Sequence, residues 1–250
     1  MRTRPRPARG EGKANLARQR RFWTRRAAAW DHGAGTSPGL RQVVERVLAE
    51  AAPSSDDEAV DLGCGSGQLA LRLAPLVRRV IAVDISEAMI DLLAANADAA
   101  SVDNVEAVAS PIERFDLGPS SVDLVVSNYA LHHLRDRDKA RLVARAATWL
   151  RPGGRLVIGD MMFGRGADRR DREVIASKVA VLARRGPGGW WRIAKNASRY
   201  LLRLQERPVP IGAWVDILRR AGLADVRAIP VVSEAAVVRG TKPGPKTQEV

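Results

Sequence analysis

Cysteine occurs once in this chain, at Cys64, so no internal disulfide can form and a multi-cysteine metal site is excluded. Tyrosine occurs twice, phenylalanine three times and histidine three times, which leaves few aromatic platforms for stacking bases and few imidazoles for chemistry. No apolar run approaches the 18 residues that a membrane helix needs, and the arginine-rich start has no apolar segment behind it. These absences argue against a disulfide scaffold, a membrane span and a signal peptide, and a cytoplasmic protein is expected. Cys64 itself sits in a glycine-rich stretch and reads as a small packed side chain.

Positive charge is in surplus, at a net +13, but it is unevenly placed. Residues 1–26 hold ten Arg or Lys against one acid, and residues 161–207 hold twelve against four, leaving the rest of the 250 residues at −4. Charge confined in this way can steer an anionic or nucleic-acid partner, or serve only solubility.

The most informative stretch is Val60-Asp61-Leu62-Gly63-Cys64-Gly65-Ser66-Gly67, followed by Val80-Ile81-Ala82-Val83-Asp84. It reads as a buried strand, a glycine turn, a helix and a second buried strand ending in a carboxylate, the arrangement that holds a nucleoside at the carboxyl edge of a parallel sheet. Asp84 stands 17 residues after Gly67, a distance suited to binding both ribose hydroxyls. Asp61 decides between ligands. A carboxylate two residues before the first glycine repels the pyrophosphate of a dinucleotide, whereas it attracts an ammonium group. S-adenosylmethionine carries that ammonium, a sulfonium and a ribose with two free hydroxyls.

Further along, Ala109-Ser110-Pro111-Ile112-Glu113, Ser121-Val122-Asp123-Leu124-Val125-Val126-Ser127-Asn128 and Leu150-Arg151-Pro152-Gly153-Gly154-Arg155-Leu156-Val157-Ile158 follow in order. With the first motif they span about residues 55–160, and over that span the chain resembles the class I S-adenosylmethionine-dependent methyltransferases. The resemblance implies a Rossmann-like α/β fold, a doubly wound, mostly parallel seven-stranded sheet whose last strand is antiparallel. It also implies that Asp61 holds the methionine ammonium, that Gly63, Gly65 and Gly67 form the turn, and that Asp84 binds the ribose. Ile85, Met89 and Ile112 then flank the adenine, with Trp30 near the methionine end and Asn128 at the cleft. Ser110 stands where the family often has an acidic residue for the adenine amino group, a departure that leaves this contact to Ser110 or to backbone.

Alternating patterns predict strands near 58–62, 79–84, 104–108, 121–127 and 155–160, with helices near 67–75, 86–99 and 136–149. Val226–Pro230 and Ala235–Arg239 supply the last two strands. Residues 1–14 read as a disordered basic arm, residues 15–240 as one domain, and residues 241–250 as a flexible tail. A helix is expected from near Asn15 through Trp30, ended by Asp31-His32-Gly33. Residues 161–210 interrupt the plan as an insertion before the last helix and strands, with helical stretches at about 170–185 and 189–206. Its two readings are a lid or wall of the acceptor pocket, in which Trp190 and Trp191 stack on the acceptor, and an extra packing or dimer-forming layer.

Chemistry is expected at Asn128-Tyr129-Ala130-Leu131-His132-His133, which follows the fourth strand. His132 or His133 is the candidate base for a hydroxyl, and Asp160, ending the fifth strand, is the candidate to orient a histidine, to hydrogen-bond an acceptor hydroxyl or to join His133 and another oxygen ligand around a divalent ion. The Asn/Asp-Pro-Pro-Tyr/Phe pattern of amino-methylating enzymes is absent here, and Cys64 is misplaced for covalent carbon methylation. The sequence therefore favours an O-methyltransferase for a small, hydroxylated, anionic or saccharide acceptor. RNA methylation and a donor-binding scaffold are the alternatives. A divalent cation is not favoured, and both monomer and homodimer remain open.

Overall fold

The computed structural model describes residues 9–164 and 206–244, together with 169, 171–173, 176 and 179–180. In chain order the elements are α1 (Arg9–Thr24), α2 (Ala27–Thr36), α3 (Pro38–Ala51), β1 (Glu58–Leu62), α4 (Ala70–Leu73), β2 (Arg79–Asp84), α5 (Glu87–Ala99), β3 (Val105–Ala109) and β4 (Val122–Asn128). A 3-10 turn at Leu131–His133 follows, then α6 (Asp136–Trp149), β5 (Leu150–Met161), α7 (Ile211–Arg220), β6 (Ala224–Pro230) and β7 (Ala235–Thr241).

The seven strands lie in the order β3-β2-β1-β4-β5-β7-β6. Pairing is parallel from β3 to β5 and antiparallel for β7 on both its neighbours. Strands covered on both faces carry continuous apolar runs, and β1, β2 and β4 are buried nearly throughout. One face packs Trp149 and Trp214 with α6 and α7; the other packs Val43, Val44 and Val47 of α3. At Gly159 a side chain would come within 2.7 Å of both Val43 and Val47, so the glycine lets α3 sit directly on β5. Strand order reverses between β1 and β4, and the crevice at that switch point is where an open α/β sheet binds ligands.

The expected elements are present with corrected edges. The first long helix does not run through Trp30: an Arg26 N–H to Trp23 C=O bond of the tighter i→i−3 kind closes α1, and α2 starts at Ala27 and passes Asp31-His32-Gly33 to Thr36. Residues 9–14, expected loose, are the start of α1. The helix predicted from residue 67 starts at Ala70, because Gly67 takes a φ of +97° that no helix contains. At the far end β7 reaches Thr241, and Lys242 pairs with Gly153 and Gly154, so the chain is held through a position assigned to the tail. The helical stretches expected at 170–185 and 189–206, with Trp190 and Trp191, lie outside the described residues apart from 171–173, 176 and 179–180, which are helical, and 206, which is not.

Candidate active site

Backbone geometry builds the floor of the site. The N–H groups of Gly63 and Cys64 both reach the Val83 carbonyl, at 2.7 and 3.0 Å, which folds the turn back over the end of β2. Gly63 has a φ of +78°, and a Cβ there would lie 2.3 Å from the Cβ of Ala130. Gly63→Ala is therefore expected to push the β1 turn away from the loop after β4 and to weaken S-adenosylhomocysteine binding at least about tenfold in calorimetry; the strain and the clash each cost about 1–3 kcal/mol. Unchanged affinity in a folded variant would show that this approach is not needed.

Above that floor lies a cleft of about 810 Å³ including its open mouth. Of the residues expected to hold a donor, Trp30, Asp61, Gly63, Gly65, Asp84, Ile85, Met89, Ile112 and Asn128 all line it. Gly67 does not; a Cβ there would meet Leu93 at 2.4 Å, so its role is to let α5 close on the turn. Ser110 is also off the cleft, its N–H bound to the Asp84 carbonyl at 2.8 Å. Glu113, three residues on, lines the wall instead, with burial raising its carboxyl above the usual range. The arginine that fixes this segment, Arg145, donates to the carbonyls of Ile112 and Glu113.

Two carboxylates dominate the electrostatics. Asp61 is 1% exposed, and neither of its oxygens has a hydrogen-bond partner among the described residues. Desolvation, reinforced by the charge of Asp84, pushes its pKa up to about 8. Asp84 accepts from the N–H of Gly65 at 3.1 Å and of Ser86 at 2.9 Å, and burial lifts its pKa against the pull of those two donors. An uncompensated buried carboxylate on a cleft wall is costly, and a cationic ligand removes the cost. The arrangement fits the ammonium of S-adenosylmethionine. Burial, reinforced by the charges of the same two acids, pushes the Cys64 thiol well above its ordinary value and leaves it unreactive.

The cover comes from the amino-terminal helices. Asp31 accepts from Gln68 and Asn96, seating α2 on the glycine turn, and Thr24 and Arg20 reach Ser86 and Glu87 at the start of α5. Gln19 and Trp23 of α1 thereby line the cleft. These two were missed in the sequence, since nothing local in α1 shows which face meets a ligand.

The loop after β4 separates the two histidines. Tyr129 leaves the strand at a φ of +50°, with its N–H on the Gly159 carbonyl, and the chain turns through Leu131–His133. His132 points away from the cleft and is buried, its Nδ1 2.5 Å from Oδ1 of Asp160. His133 lines the cleft, its ring 4.0 Å from that of His132 and 5.1 Å from Trp23, centroid to centroid. Direct contact with an acceptor, expected of either histidine and of Asp160, is thus open to His133; His132 and Asp160 stand behind it as a buried pair. Among the described residues no group of three or more His, Cys, Asp or Glu is placed to hold a metal ion, and no helix is long and apolar enough to cross a membrane.

Residues 59–154 match a family model described as a methyltransferase domain. The carboxy-S-adenosyl-L-methionine synthase of Erwinia tasmaniensis is 32% identical over 138 residues, 52% of this chain and 55% of that protein. The 27-O-demethylrifamycin SV methyltransferase of Amycolatopsis mediterranei is 32% identical over 164 residues, 62% of this chain and 59% of that protein. The chain thus spans little more than half the length of these curated relatives. Among solved structures, Burkholderia thailandensis 1,6-didemethyltoxoflavin-N1-methyltransferase superposes with a TM-score of 0.63 at 20% identity, covering 97% of this chain and 93% of its own. YcgJ of Bacillus subtilis gives 0.58 at 18%, covering 81% and 99%. Residues 59–154 are thus a methyltransferase domain, and the chain around them has the fold of these S-adenosylmethionine-dependent methyltransferase structures.

Proposed function

We propose that the protein is an S-adenosylmethionine-dependent O-methyltransferase acting on a hydroxyl of a small molecule, a saccharide or a polyketide-like compound. The observation that carries this reading is His133 on the cleft wall with the His132–Asp160 pair behind it. The printed name of the Amycolatopsis relative, a methyltransferase for an O-demethylated product, supports hydroxyl chemistry in a similar chain.

In this reading Asp61 takes the methionine ammonium and the backbone of Gly63 and Gly65 lies along the donor. Asp84 takes the ribose hydroxyls, and Ile85, Met89 and Ile112 sandwich the adenine, with Glu113 in reach of its edge. Trp30 and Asn128 border the methionine end. S-adenosylmethionine supplies an electrophilic methyl group when bound. His133 accepts the hydroxyl proton of the acceptor as its oxygen becomes nucleophilic, and the Asp160 carboxylate holds His132 in the orientation that supports the His133 ring. The α1 cover, through Trp23, excludes water from that proton transfer.

Titration with S-adenosylhomocysteine and with the Asp84→Ala variant tests the donor half. Micromolar binding to the native protein, weakened about thirtyfold or more by loss of a buried charged partner, is the expected result. Methyl transfer from labelled donor to a panel of saccharides and polyketide hydroxyls tests the acceptor half. A protein that binds the donor analogue but methylates only RNA, with affinity falling steeply as salt rises, would overturn the hydroxyl reading. Donor binding with no transfer to any acceptor class would favour a scaffold.

A further inference from the structure

Lys139 is the least expected residue in the fold. It lies in the first turn of α6, where the helix dipole disfavours a cation, and it is 0% exposed. Its ammonium has three protons, and three oxygens are in place for them: the Leu134 carbonyl at 2.9 Å, the Arg207 carbonyl at 2.6 Å and Oδ1 of Asp136 at 3.2 Å. Neither donor cleft nor proton transfer requires a lysine at this point, and a buried cation is kept only where its geometry is fully paired.

The partners explain the placement. Arg207 is bonded through both its backbone groups, since its N–H donates to the His132 carbonyl at 2.6 Å while its own carbonyl takes Lys139. Pro208 and Val209, the next two residues, are buried, which anchors the segment where the chain returns from the insertion. The carbonyls on either side of His133, those of His132 and Leu134, are therefore both held by one staple made of Arg207 and Lys139. We infer that Lys139 is a positioning residue that locks the His133 loop to the Arg207–Val209 segment and so holds the His133 ring in place on the cleft wall. This rests on the reading of His133 as the base.

The test is a ¹³C–¹H spectrum of histidine-labelled protein saturated with S-adenosylhomocysteine, its three imidazole signals assigned through single His→Gln variants. In Lys139→Met the His133 signal is expected to shift or broaden while the His32 signal stays in place and S-adenosylhomocysteine affinity changes less than about threefold. Arg207→Pro removes the other arm of the staple without opening a buried cavity and is expected to move the same signal, which keeps the test decisive where the lysine variant does not fold. A His133 signal unmoved in the folded variants would overturn the inference. If the signal moves but His133→Ala methylates a hydroxylated acceptor at the native rate, the base assignment falls and the staple stands.

Discussion

Asp61→Asn is expected to stabilise the ligand-free protein at neutral pH while weakening S-adenosylhomocysteine binding about a hundredfold or more. Both effects follow from one buried carboxylate. Its pKa stands at about 8 in the fold against an ordinary 3.8, because burial and the neighbouring Asp84 both disfavour the charged form. The folded state then holds the proton more tightly than the unfolded chain does. Its contribution to stability is complete below pH ~4 and declines as pH rises through the interval up to about 8, after which it is flat, at ~1.4 kcal/mol per pH unit. An amide has no proton to lose, so the variant escapes that decline, a gain on the order of a few kcal/mol at pH 7. The donor's ammonium, however, then meets no charge, and losing one partner of a buried charge pair costs about 2–5 kcal/mol. Urea unfolding of both proteins at pH 5, 7 and 8.5, with calorimetry alongside, checks this. The native protein should also release close to one proton per bound ligand at pH 7, seen as a dependence of the heat on buffer ionisation. Parallel stability profiles for the two proteins would show that Asp61 is already compensated without ligand.

His133→Ala is expected to lower turnover on a hydroxylated acceptor by about a hundredfold to ten-thousandfold, the range of general-base catalysis, with donor-analogue affinity nearly unchanged. The split arises from place: His133 lines the cleft against Trp23 in the loop after β4, whereas the Asp84 side chain is bonded into the glycine turn. Asp160→Asn makes the contrast. His132 and Asp160 are both buried and bonded only 2.5 Å apart, and the second oxygen of Asp160 has no partner among the described residues. Removing the charge from this hydrogen bond is expected to reduce stability by about 1–3 kcal/mol as well as turnover. Steady-state rates and thermal unfolding measured on the same preparations separate the two patterns. Near-native turnover in His133→Ala would end the base assignment.

Much of the donor site was legible in the chain because its constraints are local. The glycine turn at Gly63, an acid two residues earlier and an acid at the end of the next strand are readable as spacing, and nine of the positions that the family resemblance implies line one cleft. A parallel sheet covered on both faces followed from the alternation of apolar runs with helical patterns, whereas the order of its strands is set by tertiary pairing. Gly67 and Ser110 lie off the cleft for local reasons that spacing does not show: a glycine needed for packing against Leu93 and one needed for a ligand look alike in a motif, and so do a serine facing a cleft and one bonded beside it. The α1 cover was unreadable at the level of residues because the contacts that seat it, Arg20 with Glu87 and Thr24 with Ser86, join positions more than sixty residues apart.

His132 and His133 mark the boundary between the two kinds of information. Adjacent in one 3-10 turn, they have the same side chain and the same local setting, and no rule of propensity or period distinguishes them. Asp160 breaks the symmetry from β5 by drawing His132 under the loop, and the ring of His133 is left against Trp23 at the cleft. Local chain chemistry is enough to put two carboxylates, Asp61 and Asp84, beside one glycine turn, because it acts over a few residues of backbone. Which imidazole lines the cleft depends on a hydrogen bond across 28 positions of sequence, and that bond exists only once β4 and β5 are paired.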